Sequence, residues 1–513
     1  METHKSRTSN SVRNASITTI TQVVGIVVSF INRTLFIHYL GIDYLSVNGL
    51  FVNILAILSF AELGIGSAIT FTLYKPISDK NNDKINAILN IYRKAYRWIA
   101  IAITVLGLSV IPFLSSIVKD VPSVKYNLVL LYLLFLSNTV ASYIYSYKKA
   151  VISADQKDYI VTLYQQSVTI AQSVVLLLIL VYSGNYVLYL ITQIGCTIVN
   201  NILISKKANK LYPFIEKPNQ SKLSKDEKNT LFNNIKAIFL YKLGSVVLTG
   251  TDNIVISVIL KTQLVGLVSN YTLIINSING VVSRAIESIG ASIGNLNVSL
   301  DHNQKKHVFD ELFFITFWIF SLCSICLVLL LNPFIQLWVG AKYLCPPITS
   351  IALVSTFYVL GLNIIPSQYR TTLGYFRQVR YTPVLAAIIN LILSVILGKT
   401  IGLSGIVFAT TISRLATYSM VDPITIYRKH FKLSPFEFYG KYFLYTLIMT
   451  LGYFIAGYFV LLIKHEGFLG FILKGVVCLA AVNAFYYVLF FKTKTFKAIL
   501  SRVTAHFSNK NKQ

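Results

Sequence analysis

The sequence is poor in charge. Only 13% of its 513 residues are charged, about half the share of roughly 25% found in soluble proteins. A soluble domain of this composition could not cover its surface with ionised groups. Hydrophobic residues make up 55% of the chain, and apolar runs of roughly 18 residues or more recur from end to end, each long enough to cross a bilayer. The composition predicts an all-α, polytopic membrane protein.

The sequence also lacks the motifs of enzymes. It contains no GxxxxGK[ST] loop, no GxSxG elbow and no HExxH pattern. The five cysteines fall mainly in apolar runs, and the CSIC stretch at 323–326 has no second Cys or His pair nearby, which favours buried thiols over a metal site. The longest polar stretch, about 205–233, is too short for a soluble domain. We therefore expect no enzymatic activity, no catalytic residues, no cofactor and no metal.

About fourteen membrane spans are predicted from the roughly 20 residues that each span needs. The polar, basic start METHKSRTSNSVRNAS lacks a short apolar segment with a cleavage site, so no removable signal peptide is expected. The predicted spans are 17–40, 46–73, 97–118, 127–147, 160–182, 186–204, 234–260, 264–294, 311–332, 348–369, 381–399, 403–426, 441–463 and 468–491.

The placement of lysine and arginine agrees with this count. If the N-terminus is inside, the inner segments carry most of the basic residues, whereas each outer loop holds at most two. Cytoplasmic loops are the ones enriched in Lys and Arg, so both termini are predicted to lie in the cytoplasm and the chain in the cytoplasmic membrane. This distribution explains most of the net charge of +27. Because the basic residues are spread over many loops, a nucleic-acid partner is not expected.

The polar stretch divides the chain into two halves with six spans each. FINRTLFIHYLGIDYLSVNGLF at 30–51 aligns weakly with GTDNIVISVILKTQLVGLVSNY at 250–271, as a duplication would give, and transporters are often built from such repeats. The predicted organisation is an N-terminal six-helix lobe (1–205), a cytoplasmic linker (206–233), a second six-helix lobe (234–428), and two extra helices with a cytoplasmic tail (429–513).

Seven ionisable residues fall well inside the predicted spans. Such residues usually face a bundle interior or a water-filled cavity, because a charge is costly in lipid. The cationic members suit an anionic passenger, and the acidic ones are candidates for proton or cation coupling, or for pairing. The cations are Arg33, Lys242, Arg284 and Arg414, and the acids are Glu62, Asp252 and Glu287.

Structural roles stand beside these functional ones. Arg284 and Glu287 are three residues apart on one helix face and could simply pair. Lys242 could extend its ammonium group to the inner interface. Glu62 could be a structural partner of a cation such as Arg33, whereas neither Arg33 nor Arg414 has an acid within one helical turn.

The stretch LFIHYLGIDYLSVNGLFVNILAILSFAELGIGSAITFTLYKPISDKNNDKINAILNIYRKAYR, residues 35–97, resembles the N-terminal signature of Gram-positive polysaccharide flippases. These are Wzx-type O-antigen or polysaccharide repeat-unit translocases of the MOP superfamily, which also contains the MATE transporters. The resemblance implies two six-helix lobes in a V around a cationic cavity, with alternating access. Placement on the first, eighth and twelfth spans carries over to Arg33, Arg284 and Arg414. In a lipid II flippase relative, two additional C-terminal helices help to form a groove for the lipid tail.

The resemblance further implies a function and its partners. The passenger would be an undecaprenyl-diphosphate-linked oligosaccharide for capsule or exopolysaccharide biosynthesis, and a polysaccharide polymerase would be a partner. The arginine-rich first helix of lipid II flippases is missing, which counts against lipid II itself. Two alternatives remain, a multidrug/cation antiporter of the same superfamily and a membrane polysaccharide polymerase. The fourteen spans and the excess of arginine disfavour the first, and the short outer loops disfavour the second.

Overall fold

A computed structural model describes residues 4–62, 65–118, 123–216, 223–287 and 302–501. The described chain is dominated by α-helices, as the sequence predicts. Within these ranges, twelve helices are long and apolar enough to cross a membrane. The prediction of an all-α, polytopic membrane protein is confirmed.

Backbone contacts group the chain into two units, Met1–Gly266 and Leu267–Gln513. The helices of the first unit are α1 (His4–Leu58), α2 (Ile65–Ser78), α3 (Asn82–Val110), α4 (Leu114–Ile117), α5 (Leu128–Ala141), α6 (Lys149–Ala154), α7 (Asp158–Ser183), α8 (Tyr186–Leu211) and α9 (Lys225–Ile259). Short 3-10 turns lie at Ser59–Glu62, Ile111–Phe113, Ser146–Lys148 and Pro213–Glu216.

The second unit begins inside α10 (Thr262–Glu287). Its further helices are α11 (His302–Trp338), α12 (Pro347–Leu362), α13 (Ile364–Thr372), α14 (Phe376–Val379), α15 (Thr382–Ile401), α16 (Leu403–Ala416), α17 (Tyr418–Ile426), α18 (Phe436–Leu461) and α19 (Gly467–Phe490). A 3-10 turn lies at Ala341–Tyr343 and a π-helical turn at Tyr427–Phe431.

Several of the fourteen predicted spans are interrupted, among them the second and the twelfth. The second span ends α1 at Leu58, passes through the 3-10 turn Ser59–Glu62, and resumes as α2. The twelfth span is interrupted at Thr417, whose backbone leaves the helical region at φ −121° and ψ −81°. The Thr417 hydroxyl bonds to the carbonyl of Ser413 at 2.6 Å, a side-chain bond of the kind that bends helices. Within the described residues, α2 and the two parts of the twelfth span, α16 and α17, are too short to count among the twelve.

The first two spans join at Gly41. α1 runs from His4 to Leu58, but Gly41 within it has φ 82° and ψ −175°. This left-handed φ is favourable for glycine and strained for residues with a Cβ. The five residues expected to form an outer loop, 41–45, are therefore reduced to a sharp bend at a single glycine.

The predicted linker, 206–233, is largely helical at both ends. α8 continues to Leu211, and α9 begins at Lys225. Ser224 caps α9 by accepting a hydrogen bond from the Glu227 N–H at 3.2 Å, while the Glu227 side chain accepts one from the Ser224 N–H at 3.0 Å. This reciprocal capping box fixes the start of α9.

Aromatic side chains hold the two extra helices, α18 and α19, against α11 in the second unit. The ring of Phe317 stacks on Tyr445 with centroids 4.2 Å apart, and Phe313 lies 4.8 Å from Phe438. Phe314 meets Phe490 edge-on at 4.9 Å. Because aromatic pairs add packing energy to their buried area, α18 and α19 are integral to this unit.

Candidate functional site

Glu62 lies at the end of the 3-10 turn that breaks the second span. Helix α1 ends at Leu58, four residues before Glu62, so Glu62 does not continue the helical spacing of the residues that precede it. Its carboxyl group accepts a hydrogen bond from the Tyr96 hydroxyl at 2.6 Å. This distance falls in the short range typical of hydroxyl–carboxylate contacts.

A second tyrosine extends this contact into a chain. The Tyr92 hydroxyl donates to the Tyr96 hydroxyl at 2.7 Å. The two residues are one helical turn apart on α3, and their rings meet edge-on with centroids 4.4 Å apart. Both are almost fully buried, with 2% and 3% of their surface exposed. A Cβ at Gly66 would lie 3.0 Å from the Tyr92 hydroxyl, so glycine at this position leaves room for the two hydrogen-bonded tyrosines.

Glu62 and the two tyrosines form part of a chamber in the first unit, which we call the lysine chamber. Its volume is about 570 Å³, within the range of about 300–1,000 Å³ typical of ligand sites. α2 contributes one face, with Gly66, Thr70 and Tyr74 spaced four residues apart. The full lining is Glu62, Gly66, Thr70, Tyr74, Tyr92, Tyr96, Lys149, Ala150, Ser153 and Lys242.

Two lysines give this chamber its positive character. Lys149 lies at the start of α6 and Lys242 lies within α9, and both line the cavity with Glu62. Among the described lining residues, the side chains of charged type are two lysines and one glutamate, a composition that suits an anion with several acceptor oxygens. A lysine in contact with lipid near the bilayer centre would cost about 2.5–3.5 kcal/mol, so the chamber is the less costly place for both.

The other predicted residues of the first unit lie elsewhere. Arg33 is partly buried in α1, close enough to Tyr189 for an electrostatic interaction, and Asp252 is partly buried in α9. Neither lines the lysine chamber. Arg33 was one expected partner of Glu62, but the partner that the structure gives is Tyr96. Of the seven predicted residues, the chamber brings together Glu62 and Lys242.

The remaining predicted residues belong to the second unit. Arg284 is exposed near the end of α10, and the side chain of Glu287 lies outside the described part of the structure. Arg414 is partly buried near the end of α16, with its guanidinium 5.9 Å from the centre of the Tyr418 ring. This separation is within reach of a cation–π contact.

Two features escape detection from the sequence. Lys149 follows Lys148 in a stretch that reads as a basic inner loop, so its place in the chamber is hidden. Arg370 and Asp422 form a buried ion pair between α13 and α17, with Nε and Oδ1 3.0 Å apart and each side chain 2% exposed. Arg370 is predicted to lie just beyond its span, and Asp422 is the one acid of an otherwise apolar stretch.

The second unit contains an apolar groove of about 410 Å³. Helices α11, α12, α16 and α18 contribute to it, with side chains that include Ile325, Val354, Leu415 and Met449. Such a groove can bind a hydrocarbon chain but offers little to an ion. Among the residues that the structure describes, no group of three or more His, Cys, Asp or Glu side chains could hold a metal ion.

The fold and these cavities define a class of protein, the polytopic membrane proteins with a polar chamber within their helices. No family model matches the sequence, and no curated protein matches it either. Solved structures do match. The lipid II flippase MurJ in an inward closed conformation has a TM-score of 0.69 and 15% identity, covering 92% of this chain and 98% of its own.

Two transporters are similar over a smaller share. An inward-facing multidrug resistance MATE family transporter of the MOP superfamily has a TM-score of 0.59 and 12% identity, covering 77% of this chain and 93% of its own. A point mutant of the Vibrio cholerae MATE transporter VcmN has a TM-score of 0.56 and 13% identity, covering 83% of this chain and 99% of its own. The chain therefore has the fold that MurJ shares with the MATE transporters.

Proposed function

We propose that this protein is a flippase for undecaprenyl-diphosphate-linked oligosaccharide repeat units, acting by alternating access in polysaccharide biosynthesis. The fold supports this proposal, because the flippase MurJ matches 92% of the chain. The N-terminal signature at 35–97 supports the Wzx-type assignment in particular. Two six-helix lobes with the boundaries 1–205 and 234–428, both termini in the cytoplasm and a polymerase partner belong to the same proposal.

The lysine chamber is the observation that carries this function. A diphosphate head group offers several anionic oxygens, and Lys149 and Lys242 line one cavity of sufficient volume for it. Glu62 shares the cavity and limits its positive charge, so binding stays moderate and the head group can leave again. A tightly closed cationic site would hold the diphosphate but would not release it.

The isoprenoid tail needs a different environment. The apolar groove beside α18 offers aliphatic and aromatic surface over about 410 Å³, and α18 is one of the two helices beyond the predicted lobes. In our proposal the tail lies along this groove while the head group passes through polar surroundings. Arg33, Arg284 and Arg414 are proposed as further contacts of the diphosphate, because a guanidinium keeps its charge and donates in a fork.

A cation-coupled multidrug antiporter is the second candidate, favoured by the MATE transporters among the similar structures. Its passenger would be cationic, and the two lysines of the chamber disfavour such a passenger. Glu62, Asp252 and Glu287 are the acids through which either kind of transporter could couple to a proton or another cation.

The decisive experiment measures on which leaflet the lipid-linked repeat unit accumulates. In a strain that lacks the gene, the repeat unit should stay on the cytoplasmic leaflet, and the wild-type gene should restore export. Lys149→Ala and Lys242→Ala should each weaken undecaprenyl diphosphate binding about tenfold or more, since a hydrogen bond to a charged group contributes about 1.5–3 kcal/mol. Lysine-to-arginine variants should keep most of the binding.

Lys236→Ala is the matched control, because Lys236 is exposed on α9 and does not line the chamber. It should bind and export as the wild type does. Normal export by the double variant Lys149→Ala/Lys242→Ala, at normal protein levels, would contradict the proposed head-group site. Efflux of cationic drugs by the wild type, without any effect on the repeat unit, would favour the antiporter.

A further inference from the structure

The first unit contains a second chamber, which we call the amide chamber. It measures about 380 Å³, again in the range of ligand sites. None of its lining residues is ionisable. Its polar side chains are Asn48, Ser59, Asn138, Thr139, Gln172 and Gln193, and the side chains of Val52, Leu55, Ala56 and Phe135 complete it.

Four helices bring these side chains together. Asn48 and Ser59 are eleven residues apart, which is three helical turns, so they lie on one face of α1 and the turn that follows it. Asn138 comes from α5, Gln172 from α7 and Gln193 from α8. Amides from separate helices of an apolar bundle thus converge on one cavity. Such convergence requires the fold and differs from a random cluster of surface residues.

A neighbouring hydroxyl group holds one of the amides in position. The Thr197 hydroxyl donates to the Asn138 Oδ1 at 2.8 Å, which turns the NH₂ end of that amide toward other partners. Tyr189, one turn from Gln193 on α8, stacks on the fully buried Tyr186 with ring centroids 5.8 Å apart. A hydroxyl bonded to Asn138 and a pair of packed tyrosine rings therefore lie next to the amides of this chamber.

The chemistry of the lining selects a class of ligand. Each Asn or Gln amide offers both a carbonyl acceptor and two N–H donors. A sugar hydroxyl is likewise both donor and acceptor, so a ring of amides and hydroxyls matches a neutral carbohydrate. A diphosphate only accepts hydrogen bonds and carries charge that this lining does not neutralise. The apolar side chains suit the C–H face of a sugar ring.

The two chambers are adjacent at the 3-10 turn Ser59–Glu62. The first residue of this turn, Ser59, lines the amide chamber, and the last, Glu62, lines the lysine chamber. A ligand with a charged group followed by neutral sugars could therefore occupy both chambers at once.

We propose that the amide chamber binds neutral sugar residues of the translocated lipid, next to the diphosphate in the lysine chamber. The identity of the ligand rests on the proposed flippase function. The proposal assigns part of the specificity for the passenger to amides of the first unit. It also separates recognition of the sugar from recognition of the diphosphate.

The test uses the full-length protein in nanodiscs and three probes. They are undecaprenyl diphosphate, undecaprenyl diphosphate carrying one N-acetylglucosamine, and an alkyl N-acetylglucosaminide without diphosphate. The variants are Gln172→Met and Gln193→Met, which keep side-chain length and remove the amide. Gln165→Met is the control, because Gln165 lies on α7, is exposed and does not line the chamber.

The wild type should bind the sugar-bearing diphosphate more tightly than the sugar-free one. Each variant should reduce this ratio about two- to tenfold, the effect of one neutral hydrogen bond, and should weaken the glucosaminide equally. Binding of the sugar-free diphosphate should stay within about twofold, and Gln165→Met should change nothing. A wild-type ratio in both variants, or equal weakening of all three probes, would overturn the sugar assignment.

Failure of the flippase proposal would look different. If only the glucosaminide binds, and both variants weaken it, the amide chamber is a sugar site and the diphosphate passenger is wrong. If only the diphosphate probes bind, with no gain from the sugar, the flippase proposal stands and the sugar site falls. Losses that depend on sodium rather than on the sugar would identify a cation site and overturn the proposal.

Discussion

Replacement of Tyr96 by phenylalanine tests whether the tyrosine chain holds Glu62 in place. Tyr96→Phe removes the hydroxyl that donates to Glu62 at 2.6 Å and accepts from Tyr92 at 2.7 Å. The first bond, to a charged group, contributes about 1.5–3 kcal/mol, and the orphaned Tyr92 hydroxyl costs about 1–3 kcal/mol. Because water in the chamber offsets part of both terms, we expect a net loss of about 2–4 kcal/mol.

Tyr92→Phe is the matched comparison. It removes a single bond between neutral hydroxyls, which contributes about 0.5–1.5 kcal/mol, and leaves the bond between Tyr96 and Glu62 intact. The assay is thermal unfolding in nanodiscs, in which 1 kcal/mol shifts Tm by roughly 2–4 °C for domains of comparable size. Export of the repeat unit, measured in parallel, should fall more in Tyr96→Phe than in Tyr92→Phe.

A double-mutant cycle with Glu62→Gln identifies the partner. If Tyr96 acts through the charge of Glu62, Tyr96→Phe should cost clearly less in the Glu62→Gln background. The reasoning fails if Tyr92→Phe is as damaging as Tyr96→Phe. It also fails if the cost of Tyr96→Phe is the same in both backgrounds.

Three further predictions concern stability. Arg370→Ala should destabilise the second unit by about 3–5 kcal/mol because it leaves Asp422 buried without its partner. In an unfolding assay, the double variant Arg370→Met/Asp422→Leu should recover most of the lost stability. An absence of recovery would argue against the ion pair. Gly361→Ala should cost about 1–3 kcal/mol by overpacking, since its Cβ would lie 2.1 Å from a buried phenylalanine ring, and an unchanged Tm would contradict this. Hydrogen bonds from a lysine and from a backbone N–H lower the pKa of Glu227 from 4.5. The ionised Glu227 carboxylate therefore stabilises the fold above pH 4.5, and this contribution is lost as the pH falls through the lowered pKa. Glu227→Gln should flatten the acid limb of the Tm–pH profile. A variant profile that runs parallel to that of the wild type would refute the assignment.

The arginines of the predicted cavity give a final test. Arg33→Ala and Arg414→Ala should each reduce export while the protein still inserts, and lysine at either position should restore part of it, because the charge survives and the bidentate fork is lost. Wild-type export by both alanine variants would exclude these two positions from the diphosphate path.

The sequence predicts the membrane class and most spans because both depend on composition over about 20 residues, a property that tertiary contacts alter little. Glu62 is detectable for the same reason, as an acid within a long apolar run. Its partner is not, because Tyr96 belongs to another helix, 34 positions away, and tyrosine is unremarkable in a membrane span. Local pairing rules favour an arginine or lysine, whereas the fold supplies a hydroxyl.

Lys149 and Asp422 are missed for a different reason. A lysine beside a predicted loop reads as part of the positive-inside pattern, and only the break before α6 brings Lys149 to the chamber. Asp422 lies in a span whose interruption at Thr417 has no strong sequence signal. Sequence patterns therefore predict side-chain positions poorly near a helix break, because the break changes the direction of every side chain that follows it.

The breaks in the helices also affect the surroundings of the backbone at membrane depth. The second span is broken at Ser59–Glu62. The fourth span, Leu128–Ala154, leaves the α-helical conformation between α5 and α6, where Tyr145 has a left-handed φ of 59°. Non-helical backbone is tolerated at membrane depth only when it is buried in protein or lines a water-filled cavity. Both breaks border the lysine chamber, whose polar lining gives the backbone groups at the breaks surroundings other than lipid. In the proposed mechanism, an incoming anion would exchange one polar environment for another instead of crossing an apolar barrier.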